Sequence, residues 1–314
     1  MVKCLIFGGN GFIGSHLAEG LVQEGFDVTV FDTFNGGTKN LSSILSKINL
    51  IKGDFFSESD VESALQDIDY VFHYISTTNP ATAIKDPVFD IQSNVIGSVK
   101  MFQCAQKAGV KKIFFSSSGG TIYGEPVSIP IKESAPTNPV NPYAISKLAI
   151  EKYLGYFYNQ YGMDYVILRY SNPYGERQNP SGNQGVIPIF LNKIKSNERP
   201  TIFGDGNSLR DYIFIEDAID ATLTIVKKDP DGTVYNIGNG KGTTLNELIR
   251  IMEDVTEKTI LPIRIKDTGN YISKIVLDIE KIQKETGWQP KTNLKNGVKK
   301  TWEWINTNSG EEIK

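Results

Sequence analysis

Gly8-Gly9-Asn10-Gly11-Phe12-Ile13-Gly14 is the segment on which the fold of this chain depends. An apolar run at residues 2–7 precedes it and predicts a buried strand, and residues 15–22 predict the helix that follows. Glycines spaced G-x-x-G-x-x-G between a strand and a helix permit a tight turn and a close approach of the backbone to a pyrophosphate, whose charge the helix N-terminus attracts. The segment therefore predicts a dinucleotide-binding unit.

A carboxylate ends the second predicted strand, at the distance that a dinucleotide site requires. Residues 27–31 form this strand, and Asp32 follows it. A carboxylate placed there accepts hydrogen bonds from the ribose hydroxyls of the adenosine. Because it would also repel a 2′-phosphate, Asp32 predicts NAD rather than NADP as the cofactor.

Strand and helix patterns alternate through the first half of the chain, which predicts a parallel sheet covered on both faces. Further strands are predicted at residues 49–55, 70–76, 112–118 and 165–170, with long helices at about 91–108 and 143–161. The predicted fold class is α/β, a Rossmann-type doubly wound parallel sheet with a smaller α/β substrate-binding domain. Residues 1–171 are predicted to form the NAD-binding domain, with returning segments near 209–235, and residues 172–314 mostly the substrate-binding domain.

The composition is that of an ordinary globular protein: 39% of the 314 residues are hydrophobic, 22% are charged, and the net charge is -3. This balance gives no electrostatic reason to expect binding to nucleic acid or to an anionic membrane, and no apolar run is long enough to cross a bilayer. The two cysteines and two histidines show no metal-ligand spacing, so we expect no metal site. A strand at the N-terminus leaves no room for a signal peptide, which predicts a cytoplasmic protein.

Tyr143-Ala144-Ile145-Ser146-Lys147 places a phenol and an ammonium on one side of a predicted helix, because residues four apart on a helix are neighbours. A lysine beside a tyrosine favours the phenolate and predicts a lowered pKa for Tyr143, as an acid/base residue needs. The spacing alone is also typical of a half-buried aromatic residue beside a surface cation. The dinucleotide motif upstream favours the catalytic interpretation.

Polar side chains lie at the carboxyl ends of the predicted strands, where ligands bind in an open parallel sheet. Asp32, Asp54, Ser76, the run Ser116-Ser117-Ser118 and Asn172 are therefore expected to converge on one cleft. A run of serines can also be a solvent-exposed turn. Between the glycine loop and Tyr143, it favours a hydrogen bond to a reacting oxygen. These parts predict hydride transfer between a nicotinamide and a carbinol carbon, with Tyr143 as acid/base and no metal.

With these motifs the chain resembles the extended short-chain dehydrogenase/reductases, the NAD-dependent epimerase/dehydratase family, and within it the UDP-hexose 4-epimerases. The resemblance covers almost the whole chain. Its motifs are Gly8-x-x-Gly11-x-x-Gly14, Asp32, residues 117–124 (SSGGTIYG), Tyr143-x-x-x-Lys147, residues 168–175 (LRYSNPYG), Phe203-Gly204-Asp205-Gly206 and Arg210-Asp211-Tyr212.

The resemblance implies a nucleotide-sugar 4-epimerase that keeps its NAD bound. Tyr143 would remove the 4-hydroxyl proton, hydride would pass from carbon 4 to the nicotinamide, and the 4-keto sugar would rotate and take the hydride back on its other face. Lys147 would bind the nicotinamide ribose and tune Tyr143. The predicted cofactor contacts are Gly8, Gly11, Phe12, Ile13, Gly14, Asp32, Asn35, Gly36, Asp54, Phe55, Tyr74, Ile75, Ser76, Asn94, Ser116, Tyr143, Lys147 and Tyr170. The predicted substrate contacts are Ser118, Tyr143, Asn172, Val186, Phe203 and Arg210.

The resemblance also implies a homodimer, formed by the helices that begin near Ile91 and Tyr143. Apolar residues on these helices could equally belong to the core of one chain.

Three positions depart from the pattern of the family. Gly119 stands where the family carries its catalytic Ser or Thr, so Ser118 or Thr121 must supply that hydroxyl. Gly119-Gly120-Thr121 also lacks the two acids of the related dehydratases, which disfavours 4,6-dehydration. Near Thr268–Tyr271 the family's Arg and Gly-Asp are replaced by residues 266–271 (KDTGNY), which leaves open whether the nucleotide is UDP or dTDP.

Two other functions stay open. A reductase of a nucleotide-linked 4-keto-6-deoxyhexose would use the same Tyr143, Lys147 and hydroxyl but release its NADH or NADPH at each turnover, and Asp32 disfavours NADPH. A dinucleotide-sensing regulator on the same fold would have no need of the acid/base pair.

Overall fold

Successive side chains of the first strand are buried alternately in two cores, one on each face of the sheet. The structure is a computed structural model that describes residues 1–182, 184–266 and 272–308. The strands are β1 (Lys3–Phe7), β2 (Asp27–Asp32), β3 (Asn49–Lys52), β4 (Tyr70–His73), β5 (Lys112–Ser118), β6 (Asp164–Tyr170), β7 (Asn172–Tyr174), β8 (Thr201–Phe203), β9 (Leu209–Phe214), β10 (Thr233–Ile237), β11 (Gly242–Thr244), β12 (Ile263–Ile265) and β13 (Lys274–Ile275).

The helices lie between these strands, as the alternating pattern predicts. They are α1 (Phe12–Gln23), α2 (Glu58–Ala64), α3 (Pro80–Lys85), α4 (Pro87–Asp90), α5 (Gly97–Ala108), α6 (Pro142–Tyr161), α7 (Val186–Lys195), α8 (Ile215–Lys228), α9 (Leu245–Thr256), α10 (Glu280–Thr286) and α11 (Leu294–Thr307). A π-helical segment, Ile91–Ile96, joins α4 to α5. Among the described residues, no helix is both long and apolar enough to span a membrane.

Seven strands form one parallel sheet in the order β10-β6-β5-β4-β1-β2-β3. In β1, Cys4 and Ile6 belong to the core beneath α1 and α8, whereas Leu5 and Phe7 belong to the core beneath α2, α5 and α6. The sheet is therefore covered on both faces, and the predicted fold class is confirmed. The strand order reverses between β1 and β4, which places a ligand crevice beyond the carboxyl ends of these strands.

A second, four-stranded sheet surrounds β9, which pairs with β7 and β13 in parallel and with β11 antiparallel. β8 and β12 form a separate two-stranded sheet. After β9 the chain returns to the large sheet, because α8 packs against α1 and β10 pairs with β6. The division into two domains at residues 171 and 172 stays a prediction.

Local capping sets the helix that carries Tyr143. The Asn141 side chain accepts a hydrogen bond from Ala144 N at 3.0 Å, and Pro142 occupies the first helical position. The predicted start at Tyr143 is thus one residue late.

Two other predicted boundaries also differ. β4 ends at His73 rather than at residue 76, so Tyr74, Ile75 and Ser76 lie in the following loop. The helical stretch predicted from about residue 91 begins already at Pro87, because Asp86 caps α4 with its side chain.

Candidate active site

The glycine loop after β1 is packed so tightly that its backbone atoms exclude side chains. Gly8 has φ +79°, and a Cβ on Gly14 would lie 2.3 Å from the carbonyl oxygen of Gly8. Gly11 precedes α1, whose N-terminus is capped by none of the described side chains and whose first turn has no acidic residue. Phe12 and Ile13 form that first turn. The free N–H groups of α1 suit the anionic pyrophosphate of a dinucleotide.

Asp32, the last residue of the neighbouring strand β2, hydrogen bonds to the glycine loop. Its carboxylate accepts hydrogen bonds from Asn10 N at 3.2 Å and from Thr33 N at 2.8 Å. The side chain of Asn10 donates to Gly37 O at 2.8 Å, so the loop that carries the exposed Asn35 and Gly36 is attached to the glycine loop. Within the described part of the chain, Asn10 Oδ1 is buried without a donor. Asn10 is therefore a candidate cofactor contact that the glycine spacing did not reveal.

Asp54 and Phe55 follow β3 and differ in exposure. Asp54 is exposed, and its carboxylate accepts a hydrogen bond from Phe56 N at 2.9 Å. The Phe55 ring is buried, 5.6 Å from the Phe7 ring and 5.5 Å from the His73 ring. The Phe55 side chain is therefore part of the core, and only its backbone is left for the predicted cofactor contact.

The loop after β4 lies directly against the glycine loop. A Cβ on Gly8 would be 2.9 Å from Ile75 N and 3.0 Å from the carbonyl carbon of Tyr74. The Tyr74 hydroxyl is 2.6 Å from the hydroxyl of Tyr170, which lies 2.6 Å from Thr222 Oγ1. Both phenol hydroxyls are thus satisfied inside the protein, so the predicted cofactor contacts of Tyr74 and Tyr170 would have to use their rings.

Tyr143 and Lys147 lie beside the carboxyl end of β5. Lys147 is buried, and its Nζ donates to Ser116 O at 2.9 Å and lies 5.7 Å from the centre of the Tyr143 ring. Burial lowers the pKa of Lys147 to about 8, and Asp90 and Glu151 oppose that shift.

Burial is also the main influence on the pKa of the Tyr143 phenol. It raises the pKa of Tyr143 to about 12, the charge of Asp90 adds to the rise, and a hydrogen bond with Ser76 opposes it. The predicted lowering of the Tyr143 pKa is therefore wrong, because the spacing reveals the nearby lysine but neither the depth of burial nor the carboxylate.

The hydroxyls of Ser118, the last residue of β5, and of Thr121 hydrogen bond to each other. Thr121 Oγ1 donates to Ser118 Oγ at 2.9 Å, which leaves the proton of Ser118 for another acceptor. A Cβ on Gly119 would lie 2.6 Å from Leu277 Cδ1 and 2.9 Å from Arg169 O. The glycine at this position thus makes room for the chain that packs behind it, and Ser118 and Thr121 are the hydroxyls at this strand end.

A buried ion pair lies behind the serine run. Arg169 Nη2 donates to Glu151 Oε2 at 2.7 Å, and Arg169 Nη1 donates to the Tyr123 hydroxyl at 2.9 Å. Ser117 donates to Glu151 Oε1. Sequence reasoning missed this network, although Glu151 lies one helical turn after Lys147. The network anchors α6 to β5 and β6.

Asn94 lies in the π-helical segment and is fully engaged within the protein. Its Oδ1 accepts from Thr77 N at 3.1 Å, and its Nδ2 donates to Thr78 Oγ1 at 2.9 Å and to Asp90 Oδ1 at 3.1 Å. Asn94 therefore holds the loop after β4, and its direct contact with a cofactor stays a prediction. Asp90, four residues earlier, is a second residue that sequence reasoning missed.

The predicted substrate contacts divide into two groups. Asn172 Nδ2 donates to Asp211 O at 2.9 Å, and a Cβ on Gly120 would lie 3.7 Å from Asn172 Oδ1, so Asn172 borders the loop of Ser118 and Thr121. Arg210 follows on the adjacent strand β9, donates to Leu209 O and Ile272 O, and has a pKa lowered by burial.

The second group, Val186 and Phe203, lies in α7 and β8. Val186 begins α7, and Phe203 lies in β8 with 58% of its surface exposed. Their roles stay predictions. The departure noted near Thr268–Tyr271 falls on residues 267–271, outside the described ranges.

Comparison with known proteins gives the family. The sequence model of the NAD dependent epimerase/dehydratase family matches residues 4–238. The chain belongs to this family. The family assignment made from the motifs is thus confirmed, and so is the prediction of an NAD-dependent enzyme of this type.

Individual members of the epimerase/dehydratase family are similar over nearly their full length. UDP-glucose 4-epimerase of Halalkalibacterium halodurans is 36% identical, with 96% of this chain and 94% of the relative covered. The solved structure of UDP-glucose 4-epimerase from Thermotoga maritima with UDP-glucose has a TM-score of 0.92 at 36% identity, covering 98% of this chain and 100% of that one. The dTDP-4-dehydro-6-deoxyglucose reductase of Escherichia coli is 34% identical, with coverage of 94% and 95%.

Proposed function

We propose that this enzyme is an NAD-dependent 4-epimerase of a UDP-hexose, either UDP-glucose and UDP-galactose or their N-acetyl forms. Lys147 Nζ lies 5.7 Å from the centre of the Tyr143 ring and donates to Ser116 O of β5 at 2.9 Å, and the hydroxyls of Ser118 and Thr121 bond to each other at the carboxyl end of the same strand. This grouping, next to the glycine loop, is the observation that carries the proposal. The similarity to UDP-glucose 4-epimerases of both sequence and structure supports the substrate class.

The residues around the glycine loop suit NAD. The uncapped N-terminus of α1 would bind the pyrophosphate, Asp32 would accept from the adenosine ribose, and the backbone at Asp54 and Phe55 would border the adenine. Tyr74, Ile75, Ser76 and Lys147 would border the nicotinamide and its ribose. When bound, NAD supplies the hydride acceptor and donor for carbon 4, together with a positive ring charge that favours ionisation of a neighbouring phenol.

Tyr143 would move the proton in both directions. Burial raises its pKa to about 12, so the phenol is protonated at neutral pH, which is the form that can return a proton to a ketone. The ammonium of Lys147, fixed by Ser116 O, supplies the local positive charge that stabilises the phenolate when Tyr143 takes the proton of the 4-hydroxyl.

Ser118 would donate a hydrogen bond to the reacting oxygen. Thr121 donates to Ser118 Oγ at 2.9 Å, so Thr121 orients Ser118 rather than competing with it. Asn172 and Arg210 lie on the side of β7 and β9 and would bind the diphosphate, which needs donors and positive charge.

The test is to incubate the purified protein, without added cofactor, with UDP-glucose, UDP-N-acetylglucosamine and the corresponding dTDP sugars. We expect the C4 epimer of a UDP sugar to form and NAD to stay with the protein through gel filtration. Consumption of NADH with a dTDP-4-keto-6-deoxy sugar, and no epimer from any sugar, would contradict the proposal and favour the reductase, which the similarity to the E. coli enzyme keeps as the second candidate.

Tyr143→Phe separates chemistry from binding. The variant should keep NAD through gel filtration and lose turnover by about 100-fold or more, the usual contribution of a general acid/base. Wild-type turnover in this variant would remove Tyr143 from the mechanism.

We also propose that a second copy of the chain covers the outer face of α4, the π-helical segment and α6. Large apolar side chains on these elements are exposed: Val88, Ile91, Ile96, Ile145 and Tyr156. An exposed apolar patch of this kind marks an interaction surface. In light scattering, Ile145→Glu should lower the measured mass from two chains to one, whereas Val127→Glu, at a fully exposed position elsewhere, should not. A wild-type protein that measures as one chain would contradict the dimer.

A further inference from the structure

Asp90 is a carboxylate buried next to the proposed acid/base pair. Its side chain has no exposed surface. Oδ1 accepts hydrogen bonds from the Thr78 hydroxyl and from Asn94 Nδ2, the latter at 3.1 Å, and Oδ2 accepts from the Ser146 hydroxyl. A buried charge is costly unless it is bonded and balanced. The three donors therefore stabilise the buried carboxylate of Asp90, and its burial is a specific feature of the fold.

The three donors come from three different segments that shape the site. Thr78 belongs to the loop after β4, where Ser76 donates to Thr78 O at 2.9 Å and bonds to Tyr143. Ser146 lies on α6 between Tyr143 and Lys147. Asn94 lies in the π-helical segment, a distortion frequent at functional sites. Asp90 thus joins the loop that faces Tyr143 to the helix that carries Tyr143.

The charges around Lys147 show what balances its ammonium. Glu151 also acts on Lys147, but it accepts hydrogen bonds from Nε and Nη2 of Arg169, at 3.1 and 2.7 Å, so its charge is paired with that guanidinium. Among the described residues, Asp90 has no cation within ion-pair distance, yet its charge acts on Lys147. His73, a further ionisable group near Lys147, is neutral because burial lowers its pKa to about 3.

We propose that Asp90 is a positioning residue for Tyr143 and Lys147: its buried carboxylate, which accepts from Thr78, Asn94 and Ser146, fixes the loop after β4 against α6, and its negative charge acts on Lys147. This inference rests on the proposed function of Tyr143 and Lys147. The charge of Asp90 raises the pKa of Lys147 and of Tyr143 alike, so its removal lowers both.

Asp90→Asn tests the charge at nearly constant shape, because the amide oxygen still accepts from Thr78 and Asn94 and its nitrogen can donate to Ser146. The titration of Lys147 is followed by NMR in protein with carbon-13-labelled lysine, with the signal assigned by Lys147→Arg. From a midpoint near pH 8 in the wild type, we expect a fall of about one pH unit or more in Asp90→Asn.

Asp86→Asn is the matched control, because Asp86 carries the same charge one turn earlier, is exposed, and caps α4 in a way that asparagine also can. Its Lys147 midpoint should stay at the wild-type pH. An unchanged midpoint in Asp90→Asn, or an equal fall in Asp86→Asn, would overturn the proposal.

Ser146→Ala tests whether the bond from α6 to Asp90 positions the acid/base pair. This variant can be used even if Asp90→Asn does not fold. It removes one bond to Asp90 and keeps the charge, so kcat should fall about tenfold, the value of one hydrogen bond, with KM and the Lys147 midpoint unchanged. Wild-type kcat in folded Ser146→Ala would overturn the positioning role. The NMR titration needs no turnover, so a wild-type protein without epimerase activity would sink the proposed function and leave the charge test intact.

Discussion

Two glycine-rich turns follow parallel strands of the same sheet, one after β1 and one after β5, and their glycines are needed for different reasons. In the first turn, the atom that a Gly14 side chain would meet is a backbone oxygen of the turn itself, 2.3 Å away. In the second turn, a Gly119 side chain would meet Leu277, 158 positions farther along the chain. The first glycine serves local backbone geometry, and the second serves packing between distant segments.

This difference decides how each turn relates to function. The first turn keeps the spacing of a dinucleotide site, because a pyrophosphate requires close backbone atoms. In the second turn, Gly119 stands at the position where the family carries its hydroxyl, because packing against Leu277 leaves no room for a side chain there. We propose that Ser118 and Thr121, which hydrogen bond to each other at 2.9 Å, supply the hydroxyl instead.

Removal of the Ser118 hydroxyl should have the largest effect, a loss of kcat. If Ser118 donates directly to the reacting oxygen, Ser118→Ala loses about 100- to 1,000-fold in kcat, as for other donors to a developing oxyanion. Thr121→Val, which removes only the donor behind Ser118, should lose about tenfold. Steady-state kinetics on both variants provide the test, and a larger loss in Thr121→Val than in Ser118→Ala would reverse the assignment.

Gly14→Ala should weaken NAD binding next most strongly. Its Cβ forces the backbone of the first turn apart, at a cost of about 1–3 kcal/mol for overpacking. Because every 1.4 kcal/mol or so is tenfold in affinity, NAD should bind about 10- to 100-fold more weakly, as measured by calorimetry on protein stripped of cofactor.

Gly155→Ala is the control for Gly14→Ala. Among the residues that the structure describes, a Cβ at Gly155 on α6 would have only Tyr165 Oη within 4 Å, at 3.8 Å, so this variant should bind NAD as the wild type does. Equal NAD affinity in the two variants would show that the first turn is not under the backbone constraint described above.

Gly119→Ser restores the family residue in the second turn and should destabilise the fold by about 1–3 kcal/mol, since the new side chain overlaps Leu277 Cδ1 and Arg169 O. Denaturant unfolding measures the loss. In a Leu277→Ala background the added cost of serine should be smaller, because that cavity accepts the new atoms. A full cost in both backgrounds would locate the constraint in the backbone, as in the first turn.

The smallest expected effect is a shift in the pH dependence of turnover between the wild type and Lys147→Arg. Burial lowers the pKa of Lys147 to about 8, so its ammonium is present below that pH and lost above it. Turnover should therefore fall as the pH rises through about 8, and Lys147→Arg, whose guanidinium stays charged, should move this fall at least about one pH unit higher. A fall at the same pH in both proteins would assign it to another group.

Sequence predicted the parts of the site whose residues are close together along the chain. The glycine loop, Asp32 at the end of β2 and the Tyr143–Lys147 pair are local patterns, and alternating strands and helices predict the parallel sheet covered on both faces, but not its strand order. Asp90 bonding to Ser146, Glu151 bonding to Arg169 and Leu277 filling the space at Gly119 join segments far apart, so only packing reveals them.

The wrong pKa direction for Tyr143 has the same origin. The spacing on α6 shows a lysine one turn away, which lowers a phenol pKa, whereas burial and the charge of Asp90 raise it and prevail. Burial and a partner from another helix are tertiary properties, so no local pattern encodes them.

The fate of the hydrogen on carbon 4 tests the central claim most directly. UDP-glucose, or its N-acetyl form, carrying deuterium at carbon 4 is incubated with the purified protein in ordinary water without added cofactor, and the product is examined by NMR. We predict the C4 epimer with the deuterium still on carbon 4, because hydride leaves and returns inside one closed site. Loss of the deuterium to solvent, or an absolute requirement for added NADH, would contradict the account.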